Sequence, residues 1–258
     1  MGTPTATPPL AGARVFVSGG SSGIGRAIAL AAARAGADVV ITYRANERGA
    51  RDVSREVEAL GRRCRLVRLD LADPASVAGL ASAVRAAFSG VDVWVNNAGA
   101  DVLTGPNASL SPTDKLDLLL RVDLRGTILA SWQAAELMAA QDNGGVIINM
   151  SWDHVLSGMA GIEAQLFSAV KGGVLAFSKS LARTVAPAIR VNVLAPGWIE
   201  TAYGTDVDES IRRQVTASTP LARWGTPDDV ASAVVYLASP AASFITGQTM
   251  LVGGGVVM

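Results

Sequence analysis

The chain has 258 residues, 50% of them hydrophobic, and Lys+Arg balance Asp+Glu at 22 each. That suffices for one large core, and the even charge lacks the basic stripe that nucleic-acid binding needs, so a small molecule is the expected partner. Cys64 stands alone, which excludes an internal disulfide and suits a reducing, cytoplasmic setting; neither a membrane-spanning apolar run nor a secretory leader is visible.

Residues 1–10, with the stretch GTPTATPP, are expected to be a flexible tail before a single domain over 11–258. Residues 14–18 (RVFVS) read as a first strand. It runs into Gly19-Gly20-Ser21-Ser22-Gly23-Ile24-Gly25 and then an Ala-rich helix stopped by Gly36. Glycines let the backbone approach a pyrophosphate, and the free N–H groups and dipole of the helix favour its charge, so this segment is expected to bind a dinucleotide. The second strand, residues 38–43, ends in Arg44 and not in a carboxylate. An acidic residue there would hold the ribose 2′-hydroxyl of NAD, whereas an Arg accommodates a 2′-phosphate, so NADPH is expected ahead of NADH.

A helix with Glu47, Arg51 and Arg55 follows, then a strand over 64–69, Asp70-Leu71, and a helix opened by Asp73-Pro74. Residues 91–95 form the fourth strand, which ends in Asn96-Asn97-Ala98-Gly99. A long helical region over 113–141 comes next. Residues 146–150 are a buried strand that empties into Ser151-Trp152-Asp153-His154, and His154 is the only histidine. Phe167 and Lys171, at i and i+4, share a face of the helix beyond. A strand over 189–194 leads to Ala195-Pro196-Gly197. Weak periodicity over 198–218 suggests a mobile lid, and a helix (227–238) and a strand (249–252) close the chain. Strands alternating with helices imply an α/β fold, a doubly wound parallel sheet of Rossmann type in one domain. In such sheets ligands sit outside the carboxyl ends of the strands, where the 151–154 loop would lie.

Taken in order, Ser18-Gly19-Gly20-Ser21-Ser22-Gly23-Ile24-Gly25 (for TGxxxGIG), Asp70, Asn96-Asn97-Ala98-Gly99 and the Pro196-Gly197 turn make a specific pattern. From Leu10 onward the chain resembles the NAD(P)-dependent short-chain dehydrogenase/reductases of the single-domain type. The resemblance implies that Gly19, Ser21, Ser22, Gly23, Ile24 and Gly25 contact the dinucleotide, with Arg44 at its 2′-phosphate. It implies the same of Asp70 and Leu71, of Asn97, Ala98 and Gly99, of Lys171, and of Pro196, Gly197, Ile199 and Thr201. It further implies a homodimer or homotetramer built on the helices over 114–141 and 161–186, with no metal.

The family's catalytic set is Asn, Ser, Tyr and Lys, and here only the Lys matches, as Lys171. The Tyr position holds Phe167, and the Asn position holds Asp123. The Ser position falls on Trp152 when counted from the strand and near His154 when counted from the helix, with Ser151 close by. Phe167 has no proton to give to an alkoxide, and general acid–base help is worth about a hundred- to ten-thousand-fold in rate. His154 is the candidate replacement acid. Asp123 and Asp153 are candidate carboxylates for a cationic substrate, such as an iminium ion formed from a hemiaminal, which accepts hydride without a proton. Trp152, Phe167, Trp198 and Trp224 suggest an aromatic substrate pocket, and Tyr203 offers a phenol from the lid.

The expected function is an NADPH-dependent reductase with a rebuilt site, acting on an iminium or hemiaminal carbon, or a ketone, of a complex natural-product-like amine. The alternatives are a non-redox cyclase, isomerase or dehydratase using Asp153 and His154, and a non-catalytic dinucleotide-binding subunit.

Overall fold

Short runs of β-branched and apolar residues leave every backbone donor and acceptor unspent, and pairing side by side satisfies them. In the computed structural model, which describes residues 7–201 and 207–258, they form a parallel sheet of seven described strands in the order β3-β2-β1-β4-β5-β6-β7. The strands are β1 (Arg14–Val17), β2 (Asp38–Tyr43), β3 (Cys64–Arg68), β4 (Val93–Asn96), β5 (Gly145–Met150), β6 (Ile189–Pro196) and β7 (Thr249–Val252). The fold is the expected single-domain, doubly wound α/β fold of Rossmann type. The strand order reverses at β1 and β4, whose carboxyl ends therefore part and open a crevice.

Helices cover both faces, which is why the central strands are apolar on both sides. One core packs β1, β2 and β5 against α1 (Gly23–Arg34), α2 (Glu47–Ala59) and the last helix, Pro227–Ala238. The other packs the opposite sheet face against residues of helices that include α3 (Pro74–Ala78), α4 (Leu80–Phe88), α6 (Thr127–Ala139) and α7 (Ile162–Val185). On this second face lies a buried polar chain. Asn96 Nδ2 donates to Asn149 Oδ1 at 2.8 Å and to Ser131 Oγ at 3.0 Å, and Asn149 Nδ2 donates to Ser178 Oγ at 2.8 Å. Fully paired, this network locks the ends of β4 and β5 to α6 and α7.

The region expected as one long helix is interrupted. It runs as α5 (Pro112–Leu119), capped by Ser111 Oγ, then a π-helical stretch Leu120–Gly126, then α6. Such insertions re-aim a side chain at a functional site, and here Asp123 turns inward to 1% exposure. The segment expected as an irregular lid through residue 218 contains a helix, Glu209–Ser218. Asp208 starts it by accepting from Ser210 N at 2.7 Å, a local signal that weak periodicity hides.

Residues 202–206, and with them Tyr203, lie outside the described residues, as does most of the expected tail. Leu10, which the sequence assigned to that tail, is buried at 5% and its N–H donates to the Ala35 carbonyl at 2.9 Å. Among the described residues no helix is long and apolar enough to cross a membrane.

Candidate functional site

At the carboxyl end of β1 the chain must turn tightly into α1, and glycine makes the turn possible. Gly19 has φ of 68°, a left-handed conformation, and its N–H donates to Thr42 Oγ1 at 3.1 Å. A Cβ on Gly25 would lie 2.2 Å from Gly19 O and 2.6 Å from Asn97 Nδ2, so only glycine allows the turn to press against the β4 loop. Ser18 joins the same two loops, its Oγ accepting from Asn97 N and Ala98 N at 3.0 Å each. Ser22 precedes α1 without capping it by its side chain, which leaves the first helical N–H groups open to an anion.

The resulting cleft, about 430 Å³, is lined by Gly19, Ser21, Ser22, Ile24, Gly25, Arg44, Asp70, Leu71, Asn97, Ala98 and Gly99. Those are sequence candidates brought together; Gly23, with φ of 52°, belongs to the turn but does not line the cleft. Tyr43, Arg44, Ala45 and Asn46 close the far end. No carboxylate stands directly after β2. A glycine turn that a Cβ would block and an open helix N-terminus fit the pyrophosphate of a dinucleotide.

A second cavity of about 470 Å³ adjoins this cleft and shares Ile24 and Asn97 with it. Lys171, Pro196, Gly197, Ile199 and Thr201 line it, together with Ser151 and the aromatic side chains of Trp152, Phe167 and Trp198. Trp152 and Phe167 meet edge to face with ring centroids 6.1 Å apart. The wall also holds Leu103, Met150, Met159 and Glu163.

Several candidates stand elsewhere than the sequence suggested. Asp123 does not offer a free carboxylate, because Oδ2 pairs with Lys171 Nζ at 2.8 Å and Oδ1 accepts from Ala100 N at 2.8 Å. Asp123 thus braces Lys171 against the β4 loop; a Cβ on Gly99 would lie 2.7 Å from Oδ2. Ser151 reaches the cavity wall, but its hydroxyl donates to the Lys171 carbonyl at 2.9 Å.

Asp153 and His154 do not line the cavity. Asp153 Oδ1 accepts from the His154 N–H at 2.7 Å and contacts His154 Nδ1 at 2.6 Å, curling residues 153–155 into one 3₁₀ turn directed into the protein. Asp153 Oδ2 is buried and unpaired, and glycine leaves room for it: a Cβ on Gly197 or Gly253 would stand 2.5 or 2.3 Å away. Burial, only partly offset by the His154 contacts, pushes the Asp153 carboxyl up from its ordinary range. His154, 8% exposed, stacks on Trp152 at 4.9 Å and meets Trp198 edge-on at 6.4 Å, so it backs the aromatic wall from behind. Trp224 also stands behind that wall, 4% exposed and 5.5 Å from Trp198. The sequence reading missed Glu163 and its partner Lys115. Its signal was present in the spacing, since Glu163, Phe167 and Lys171 fall at i, i+4 and i+8 on α7.

Comparisons with known proteins agree with this architecture. A family described as enoyl-(acyl carrier protein) reductase matches residues 19–257. The chain is 37% identical over 252 residues to an L-rhamnose 1-dehydrogenase (NAD(P)(+)) of Sphingomonas sp., covering 96% of this chain and 97% of the relative. It is 37% identical over 245 residues to the 3-oxoacyl-(acyl-carrier-protein) reductase of Salmonella typhimurium, covering 94% and 96%. A crystal structure of a short-chain dehydrogenase from Burkholderia cenocepacia in complex with NADP superposes with a TM-score of 0.86 at 34% identity, over 96% of this chain and 99% of that one.

Proposed function

The chain belongs to the short-chain dehydrogenase/reductase family of NAD(P)-dependent oxidoreductases, and we propose that within it this protein is an NADPH-dependent reductase of C=N⁺ carbon, an iminium ion or the hemiaminal that gives rise to one. The observation that carries this reading is the pairing of hydrogen-bonding groups around Phe167. A ketone reduced in this cavity becomes an alkoxide and needs a proton beside it. Phe167 supplies none, the Ser151 hydroxyl donates to a backbone carbonyl, and Lys171 is paired with Asp123.

A bound reduced nicotinamide supplies hydride. The residues that would hold it are the Gly19–Gly25 turn, Asp70, Asn97, Lys171 and the Pro196–Thr201 segment, with Arg44 at a 2′-phosphate, which favours NADPH over NADH. Lys171, fixed by Asp123, orients the ribose end. Phe167, Trp152 and Trp198 exclude water and present aromatic faces that stabilise a cation. When the iminium carbon gains hydride, the C=N electron pair moves onto nitrogen, the product is a neutral amine, and no side chain has to give a proton. The non-redox reading rested on Asp153 and His154 as acid and base and loses both, since neither lines the cavity.

Phe167→Tyr tests the reading. Adding a phenol four residues before Lys171 is expected to raise ketone turnover by about a hundredfold, within the range of general acid catalysis, while iminium turnover changes little. Ketone turnover by the wild-type enzyme that Phe167→Tyr leaves unchanged would mean that an acid is already in place and would overturn it.

A further inference from the structure

Glu163 carries the one carboxylate among the described cavity-lining residues, and nothing in the catalytic account uses it. Its Oε1 accepts from Lys115 Nζ at 3.0 Å. The two partners differ in placement: the Lys115 side chain is 9% exposed, that of Glu163 38%, and Lys115 does not line the cavity. The ion pair is therefore a dipole with its negative end toward the cavity and its positive end buried behind it. The bond from Lys115 also holds the Glu163 carboxyl below its ordinary range, so it stays ionised. At the other end of the same helical stripe the polarity is reversed, because there Lys171 lines the cavity and the buried Asp123 stands behind it.

We propose that this gradient along α7 sets substrate orientation, and that Glu163 is the specificity-determining residue that holds the substrate's positive nitrogen. Eight residues of helix separate Glu163 from Lys171, an axial distance of about 12 Å, with Phe167 about 6 Å from each. A cationic substrate turns its nitrogen toward Glu163 and away from the Lys171 ammonium, which directs the adjoining carbon to the Phe167 side. Trp152 and Trp198, on the same cavity wall, offer aromatic faces to the cation. This inference rests on the proposed cationic substrate and names the residue that selects it.

The test is binding of benzyltrimethylammonium and of its neutral isostere neopentylbenzene to the NADP⁺-loaded enzyme, followed by tryptophan fluorescence. Neither probe can be reduced, so the result does not depend on turnover. Glu163→Gln is expected to weaken the ammonium probe by about tenfold and to leave the neutral probe within about twofold. Lys115→Met breaks the same ion pair but keeps the carboxylate, and is expected to bind the ammonium probe as tightly as wild type or tighter. Equal weakening by both variants, or equal loss for both probes, would reduce Glu163 to a structural role and overturn the proposal. Charge-selective binding without turnover of any iminium compound would instead leave Glu163's role standing and overturn the reductase reading.

Discussion

Asp153 holds a carboxylate oxygen in the interior with no partner, against the backbone at Gly197 and Gly253. Burial raises its pKa, so the folded protein holds that proton more tightly than the unfolded chain does. The stability linked to it is full below the ordinary carboxylate pKa and is lost as pH rises through the raised value. Asp153→Asn keeps an oxygen for the His154 contacts and removes the charge. It is therefore expected to leave the Tm at pH 7 equal or higher, and to flatten the change in Tm from pH 4 upward; a Tm several degrees lower at pH 7 would contradict this. At this scale the sequence was partly legible. Phe167 and Lys171 fall on one wall as their spacing requires, because the helix period fixes their direction, whereas the spacing left open whether Trp152, Asp153 or His154 would face the cavity. The inward turn of Asp153 and His154 was not legible, because the space it fills is made by glycines distant in sequence. Asp123 was found but not its engagement, since Lys171 reaches it only through the packing of α7 on the π-helical stretch.

The glycine turn acts as one element with β1, α1 and the β4 loop. Its dependence on glycine is steric at Gly25, where an added Cβ would meet a backbone oxygen that cannot swing aside. Gly25→Ala is expected to weaken NADPH binding by about tenfold or more, equivalent to about 1.4 kcal/mol, as read by fluorescence titration; unchanged affinity would show that the turn does not seat the dinucleotide. This element was read almost completely from the sequence, because strand, turn and helix are consecutive and each announces itself locally. The π-helical stretch over 120–126 was not, since the extra residue per turn leaves no mark in an apolar pattern that still looks helical. Helix α7 lies between these cases. Its existence was plain, but Glu163 gains meaning only once the cavity wall is assembled from loops around it.

Across the whole molecule, alternating strands and helices specified a doubly wound sheet, and its switch point puts the cleft proposed for the dinucleotide beside the cavity proposed for the substrate. The outer face of the π-helical stretch and α6 carries apolar groups to the surface: Leu120 is 38% and Trp132 54% exposed, and Leu124 and Ile128 line the same groove. The homodimer or homotetramer expected from the sequence has a suitable surface here. Trp132→Glu is accordingly expected to shift the protein to a smaller species by light scattering, with its fold intact by circular dichroism; an unchanged mass would place assembly elsewhere.

The reduction proposed for this cavity acts on a carbon already made cationic by nitrogen. It is tested most directly by following NADPH absorbance with the wild-type enzyme, a cyclic iminium compound and the ketone of the same ring. Steady oxidation of NADPH is expected with the iminium compound, at least about a hundredfold faster than with the ketone, since the ketone lacks an acid in place. Equal rates, or turnover of the ketone alone, would contradict it.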